Sequence, residues 1–139
     1  MTMEQEDKNI IKDKSFKFAL RMVKLRQYLN KEKKEYSIAD QVLRSGTSIG
    51  ANVSEAEYAQ SRADFISKMS IALKEANETR YWLKLLVFGE YLDEKLFKSL
   101  FSDCKELISI LHSIVKSSKE KNNKQQIKSE REDDCESNF

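Results

Sequence analysis

The chain lacks proline altogether, and its 139 residues include only three glycines, two cysteines and one histidine. A sheet protein needs many tight turns, and turns draw on proline and glycine, so this scarcity argues against β architecture. No apolar run approaches the roughly 20 residues that span a bilayer. The opening segment MTMEQEDKN has no apolar core of a signal peptide. Together these absences predict a soluble, cytoplasmic, single-domain protein. The two cysteines, Cys104 and Cys135, lack metal-ligand spacing. Cys104 reads as a small core side chain and Cys135 as a free thiol, with no disulfide expected in a reducing compartment.

Catalytic and cofactor chemistry is equally scarce. His112 has no glutamate three residues before it, so the Glu-x-x-His pair of di-iron bundles is missing. The segment Gly46-Thr-Ser-Ile-Gly50 lacks the Gly-Lys-Ser/Thr ending of a phosphate loop. Glu55, Glu75 and Glu78 could serve as acid–base groups, but no nucleophile, metal or cofactor motif accompanies them. They read better as ion-paired residues. The expectation is a protein that is not an enzyme and has no metal or cofactor.

What is present is helical periodicity, in four consecutive segments. The first is expected from about Lys14 to Lys31, on the seam Phe18, Met22, Leu25 and Leu29, flanked by Phe16, Ala19, Leu20 and Val23. The second starts at Ser37, where Ser37 and Asp40 have capping-box spacing, and runs to about Ala59. The third follows a second box, Ser61 and Asp64, on the seam Phe65, Met69, Ala72, Ala76, Thr79, Leu83 and Leu86. Gly89 is its expected left-handed C-cap. The fourth is capped by Asp93 and carries Phe97, Leu100, Cys104, Leu107, Leu111 and Ile114. Short connections imply an all-α, antiparallel, up-down-up-down four-helix bundle over residues 14–118. Residues 1–13 are expected to be flexible, and residues 119–139 to form a disordered charged tail.

The second segment is the most unusual. Beside an apolar stripe (Ile38, Val42, Ile49, Val53, Ala56) runs a polar one: Gln41, Arg44, Ser48, Asn52 and Glu55. Gly46 and Gly50 each cost about 1 kcal/mol inside a helix. A break at Ser45-Gly46 would leave a loop, whereas the apolar period running through both glycines predicts one continuous helix. Glycines at i and i+4 share a face and would let a neighbouring backbone approach closely. Folding the second helix on the third sets Arg44 level with Glu75 and Gln41 level with Glu78, a buried or half-buried polar seam with Arg44 as its anchor. Stranding one member of a buried pair costs about 3–5 kcal/mol.

The first segment carries a basic stripe: Lys14, Lys17, Arg21, Lys24 and Lys31, at steps of three, four, three and seven, with Tyr28 filling the missing step. Lys33 and Lys34 extend it. Net charge is only +2, because the C-terminal SEREDDCES is acidic. A stripe of one sign with an embedded aromatic suits RNA or DNA, since lysines neutralise phosphates and tyrosine stacks on bases. The plainer reading is a solvated helix face. Tyr81, Trp82, Leu85 and Phe88 on the third helix are apolar positions beyond one seam and suggest a second buried face, hence an oligomer.

The motif QVLRSGTSIGANVSEA, followed by SRADFISKMSIALKEANETRYWLKLL, closely resembles the four helix bundle protein family. Its members include proteins encoded by intervening sequences within bacterial 23S rRNA genes. The matching positions are Gln41, Arg44, Ser45, Ser48, Ile49, Asn52, Glu55 and Ala56, then Glu78, Thr79, Tyr81, Trp82 and Leu83. The resemblance covers about residues 16–117. It implies an antiparallel bundle, a homopentameric ring, and an RNA or DNA interaction without catalytic activity. A related branch, the accessory proteins of diversity-generating retroelements, implies a reverse transcriptase as an alternative protein partner. The acidic tail is not part of the matching pattern.

Overall fold

A computed structural model describes residues 2–137, with side chains described through residue 134. The chain forms four helices: α1 (Met3–Glu32), α2 (Ser37–Ala56), α3 (Arg62–Phe88) and α4 (Glu94–Ser137). Consecutive helices pack on one another, α4 closes the ring against α1, and among the described residues the backbones of diagonal helices stay apart. Cross-helix partners run in opposite directions. Arg26 reaches Asp40 and Lys12 reaches Glu57 between α1 and α2; Thr79 reaches Ser45 and Lys68 reaches Glu55 between α2 and α3. Cys104 meets Ala76 between α3 and α4, and Arg21 meets Asp103 between α1 and α4. The bundle is therefore up-down-up-down, as its periodicity predicts.

The seams hold nearly residue for residue. Phe18, Met22, Leu25 and Leu29 are buried, as are Met69, Ala72, Ala76, Thr79, Leu83 and Leu86. Of the α4 seam, Leu100, Cys104, Leu107, Leu111 and Ile114 are buried. Phe65 and Phe97, at the ends of their seams, are half-buried. No helix among the described residues is long and apolar enough to cross a membrane.

The glycines of α2 work as their spacing predicts. The helix is continuous through both. A Cβ on Gly46 would overlap the buried Met22 side chain, falling 2.8 Å from its Sδ. One on Gly50 would sit 3.3 Å from the Ser15 carbonyl oxygen of α1. The close approach of α1 offsets the intrinsic cost of glycine through dense packing.

Several expected boundaries move. Residues 3–13 are helical rather than flexible, because Thr2 Oγ1 caps the helix by accepting from Gln5 N–H and Ile11 is fully buried. The expected disordered tail is instead a continuation of α4 as far as Ser137. Residues 138 and 139 lie outside the described residues, as does the side chain of Cys135. Lys, Glu and Gln are good helix formers, and nothing in 116–137 breaks the helix. The Ser37–Asp40 box does not form. Glu35, buried just before the helix, caps α2 by accepting from Ile38 N–H (2.9 Å) and Ala39 N–H (2.7 Å), and Asp40 pairs with Arg26 instead. Gly89 is not left-handed: its φ is −80°, and the positive φ (67°) falls on Glu90. The turn closes with Tyr91 N–H donating to the Leu86 carbonyl (2.9 Å). Ser61 does cap α3, and Asp93 caps α4 by accepting from Leu96 N–H.

Candidate nucleic-acid and assembly interfaces

The polar stripe of α2 faces α3 at the bundle surface. Arg44 lies 3.4 Å from Glu75 and in contact with Glu78, and Gln41 Oε1 accepts from its Nε and Nη2 at 3.3 Å. These contacts hold the guanidinium pKa above its usual value, the Glu78 hydrogen bond contributing most. Gln41 therefore braces Arg44 rather than pairing with Glu78. Ser48 and Asn52 also do not reach Arg44's side chain: each donates to a carbonyl one turn back, Arg44 O and Ser48 O respectively. Glu55 pairs with Lys68 at 2.9 Å. The Arg44 side chain is 48% exposed, so this is a surface cluster and not a buried one. The buried polar contact between these helices is one the sequence reading missed, Ser45 to Thr79 at 2.8 Å, both fully buried. Thr79 stands on the predicted α3 seam, whereas Ser45 lies between Val42 and Ile49, outside the predicted α2 stripe.

The basic stripe of α1 meets α4. Lys14 pairs with Glu106; Arg21 reaches Asp103 (2.6 Å) and Ser99 Oγ (3.0 Å); Lys17 pairs with Asp13 one turn back (3.0 Å). Lys14 and Arg21 are thus neutralised by acids of α4 that only folding brings near, and Lys17 by a local acid of its own helix. Lys24 and Lys31 have no ion pair among the described residues. Tyr28 packs half-buried against the core, lining a shallow cleft with Arg21, Lys24 and Leu100. The free positive charge lies at the C-terminal end of α1, where Lys33 and Lys34 follow. A second basic stripe escaped the sequence reading because its segment was taken for a disordered tail. Lys121, Lys124, Lys128 and Arg131 recur along α4 at helical steps, with Glu120 and Glu132 at its edges.

Two apolar patches remain uncovered. On α1, Phe16 is 65% exposed, and Leu20 and Val23 share its face beside a groove floored by Thr47, Gly50 and Ala51 of α2. On α3, Tyr81 (58%) and Phe88 (83%) are exposed together with Leu85, next to half-buried Trp82. The Trp82 Nε1 is buried without a hydrogen-bond partner among the described residues. Single exposed apolar side chains are ordinary, but contiguous ones at helical spacing mark interaction surfaces.

Among the described residues no group of three or more His, Cys, Asp or Glu could hold a metal ion. Burial pushes the Cys104 thiol up to about 12, so it is not a thiolate nucleophile.

A family model described as 23S rRNA-intervening sequence protein matches residues 7–113. A solved structure of a protein of unknown function from the S23 ribosomal protein family of Bacteroides thetaiotaomicron VPI-5482 is 55% identical. The match covers 79% of this chain and 98% of that one, with a TM-score of 0.78. No curated protein matches the chain.

Proposed function

The chain belongs to the 23S rRNA-intervening sequence protein family, and from that premise we propose that it is a non-enzymatic, cytoplasmic assembly protein. Copies join through the two apolar patches into a homopentameric ring that contacts RNA or DNA. The observation that carries this reading is the pair of uncovered patches. They are different surfaces on different helices, so the α3 patch of one copy suits the α1–α2 groove of the next. Such a head-to-tail contact gives a ring when the rotation from copy to copy closes. Nucleic-acid contact falls to Lys24, Tyr28 and Lys31, repeated on each subunit so that weak single contacts sum by avidity.

Light scattering at micromolar concentration tests the assembly: a pentamer mass is expected, and Phe88→Asp should reduce it to monomer. A monomeric wild type rejects the reading. Retention on RNA at low salt, lost steeply as salt rises, tests the nucleic-acid part. The pairing of Lys14, Lys17 and Arg21 with acids favours a second reading, in which the ring presents its surface to a protein such as a reverse transcriptase. Undiminished partner binding at high salt would mark that outcome.

A further inference from the structure

The helical extensions at both ends of the chain build a cavity that the bundle core alone would lack. It holds about 500 Å³ and lies where the start of α1, the α2–α3 turn and the middle of α4 converge. Its floor is apolar, made by Val53, Ala56, Phe65 and Met69. Its charge is predominantly positive. Lys12 is matched by Glu57 at 2.9 Å, and Glu4 is matched by Lys121. That leaves Lys8, whose Nζ sits 4.6 Å above the Phe65 ring, and Arg62 without a salt bridge of their own; both lie close enough to Glu4 to help lower its pKa. Asp64 is engaged in accepting from Gln60 N–H. Ser61 and Arg62 bring the N-terminal end of a 27-residue helix to the mouth, which adds the partial positive charge of that end.

The telling group is Ser118. It lines the cavity, is only 3% exposed, and its Oγ is buried with no hydrogen-bond partner among the described residues. A buried hydroxyl without a partner costs about 1–3 kcal/mol, and an apolar residue would fill the position without that cost. Glu4, Ser118 and Lys121 all fall outside the stretch matched by the family model.

We propose that this cavity binds a small organic anion, with its phosphate or carboxylate head held by Lys8 and Arg62, and by the Ser118 hydroxyl once it rotates into the cavity, and its apolar body on the Val53–Met69 floor. The floor sets the class. A bare inorganic anion leaves it wetted, and a neutral apolar molecule leaves the cations and the hydroxyl unmatched. The site belongs to the single chain and does not require the ring.

The test is titration of the full-length protein, followed by calorimetry and amide NMR, with four probes: phenyl phosphate, benzoate, inorganic phosphate and benzyl alcohol. Saturable binding of phenyl phosphate or benzoate is expected, and whichever is tighter identifies the head group. Inorganic phosphate should bind about tenfold more weakly, and benzyl alcohol not measurably. Lys8→Gln with Arg62→Gln, and separately Ser118→Ala, should each weaken the organic anion by about tenfold or more, the range for hydrogen bonds to charged groups. No saturable binding by wild type overturns the proposal, whatever the variants do. So does equal affinity in the Lys8/Arg62 variant. Ser118→Ala that melts higher and binds as tightly would show the hydroxyl to be a packing defect and would overturn its assigned role.

Discussion

Helix α1 has two neighbours and meets them by opposite means. Against α2 it is close at the centre, with the ion pairs Lys12–Glu57 and Arg26–Asp40 only at the edges: Gly46 receives the Met22 side chain, and Gly50 lies against the Ser15 backbone. Against α4 much of the contact is ionic and peripheral, through Lys14–Glu106, Arg21–Asp103 and Glu4–Lys121, all with exposed or partly exposed side chains. The first interface is fixed by volume and tolerates almost no change. The second is made of charges that water can largely replace. The difference suggests that α1–α2 sets the geometry of the fold, whereas α1–α4 is free to vary and to carry function.

The largest predicted effect breaks the first interface. Gly46→Leu places a branched side chain where even a Cβ collides with Met22, and α1 must move away. Overpacking of this kind costs about 1–3 kcal/mol for small insertions and more for a whole side chain. A loss above about 3 kcal/mol is expected, read as a fall in melting temperature of roughly 10 °C or more. Gly46→Ala should lose less, because alanine recovers about 1 kcal/mol of helix propensity, and Met22→Ala in that background should restore part of the deficit. A Gly46→Leu protein that melts like wild type would show that the close approach has no energetic role.

The Arg44 cluster should rank second. The sequence pattern alone implied a buried anchor, for which truncation costs about 3–5 kcal/mol. The side chain is instead 48% exposed, against 20% for Glu75 and 38% for Glu78. Arg44→Ala should therefore cost about 1 kcal/mol, the upper range for exposed pairs, and less at high salt. A loss of 3 kcal/mol or more in urea denaturation would mean that another surface covers the cluster in solution, as a neighbouring subunit would.

The contrast between the two α1 interfaces also explains what the sequence could reveal. Small residues at i and i+4 are a local pattern, and Gly46 and Gly50 announced a close contact without naming Met22 or Ser15. The α3 seam was legible for the same reason: one heptad, read along one helix, matched the buried set from Met69 to Leu86. The pairing of Arg21 with Asp103 joins residues 82 positions apart. Periodicity within α1 could show the Asp13–Lys17 pair but not that Lys14 and Arg21 would be met by acids of α4. The helix ends failed for a related reason. MTMEQEDKN and the segment after Ser117 look unfoldable alone, and each gains from the other through Glu4–Lys121 and the burial of Ile11 and Ser118. Capping was misread where two acids competed: Asp40 had the spacing, but Glu35 made the bonds. Gly89 was one residue short of the position that takes a positive φ.

The smallest effect on stability comes from removing the charges of the second interface, and it sharpens the comparison most. Asp103→Asn with Glu106→Gln releases Arg21 and Lys14 without touching the core seam, since both acids are exposed and the buried positions on either side, Cys104 and Leu107, are unchanged. Two exposed pairs together are worth about 1 kcal/mol or less, so melting should shift by only a few degrees. Binding to RNA should respond far more. Two freed cations next to Lys24 add up to two phosphate contacts. They should tighten retention at low salt and steepen the salt dependence by about 0.7 per contact on a single strand. That outcome would make the α4 acids a built-in brake on the α1 stripe. Unchanged RNA binding with unchanged stability would place the stripe outside the nucleic-acid surface, leaving the second basic stripe on α4, around Lys124 and Lys128, as the surface to alter next.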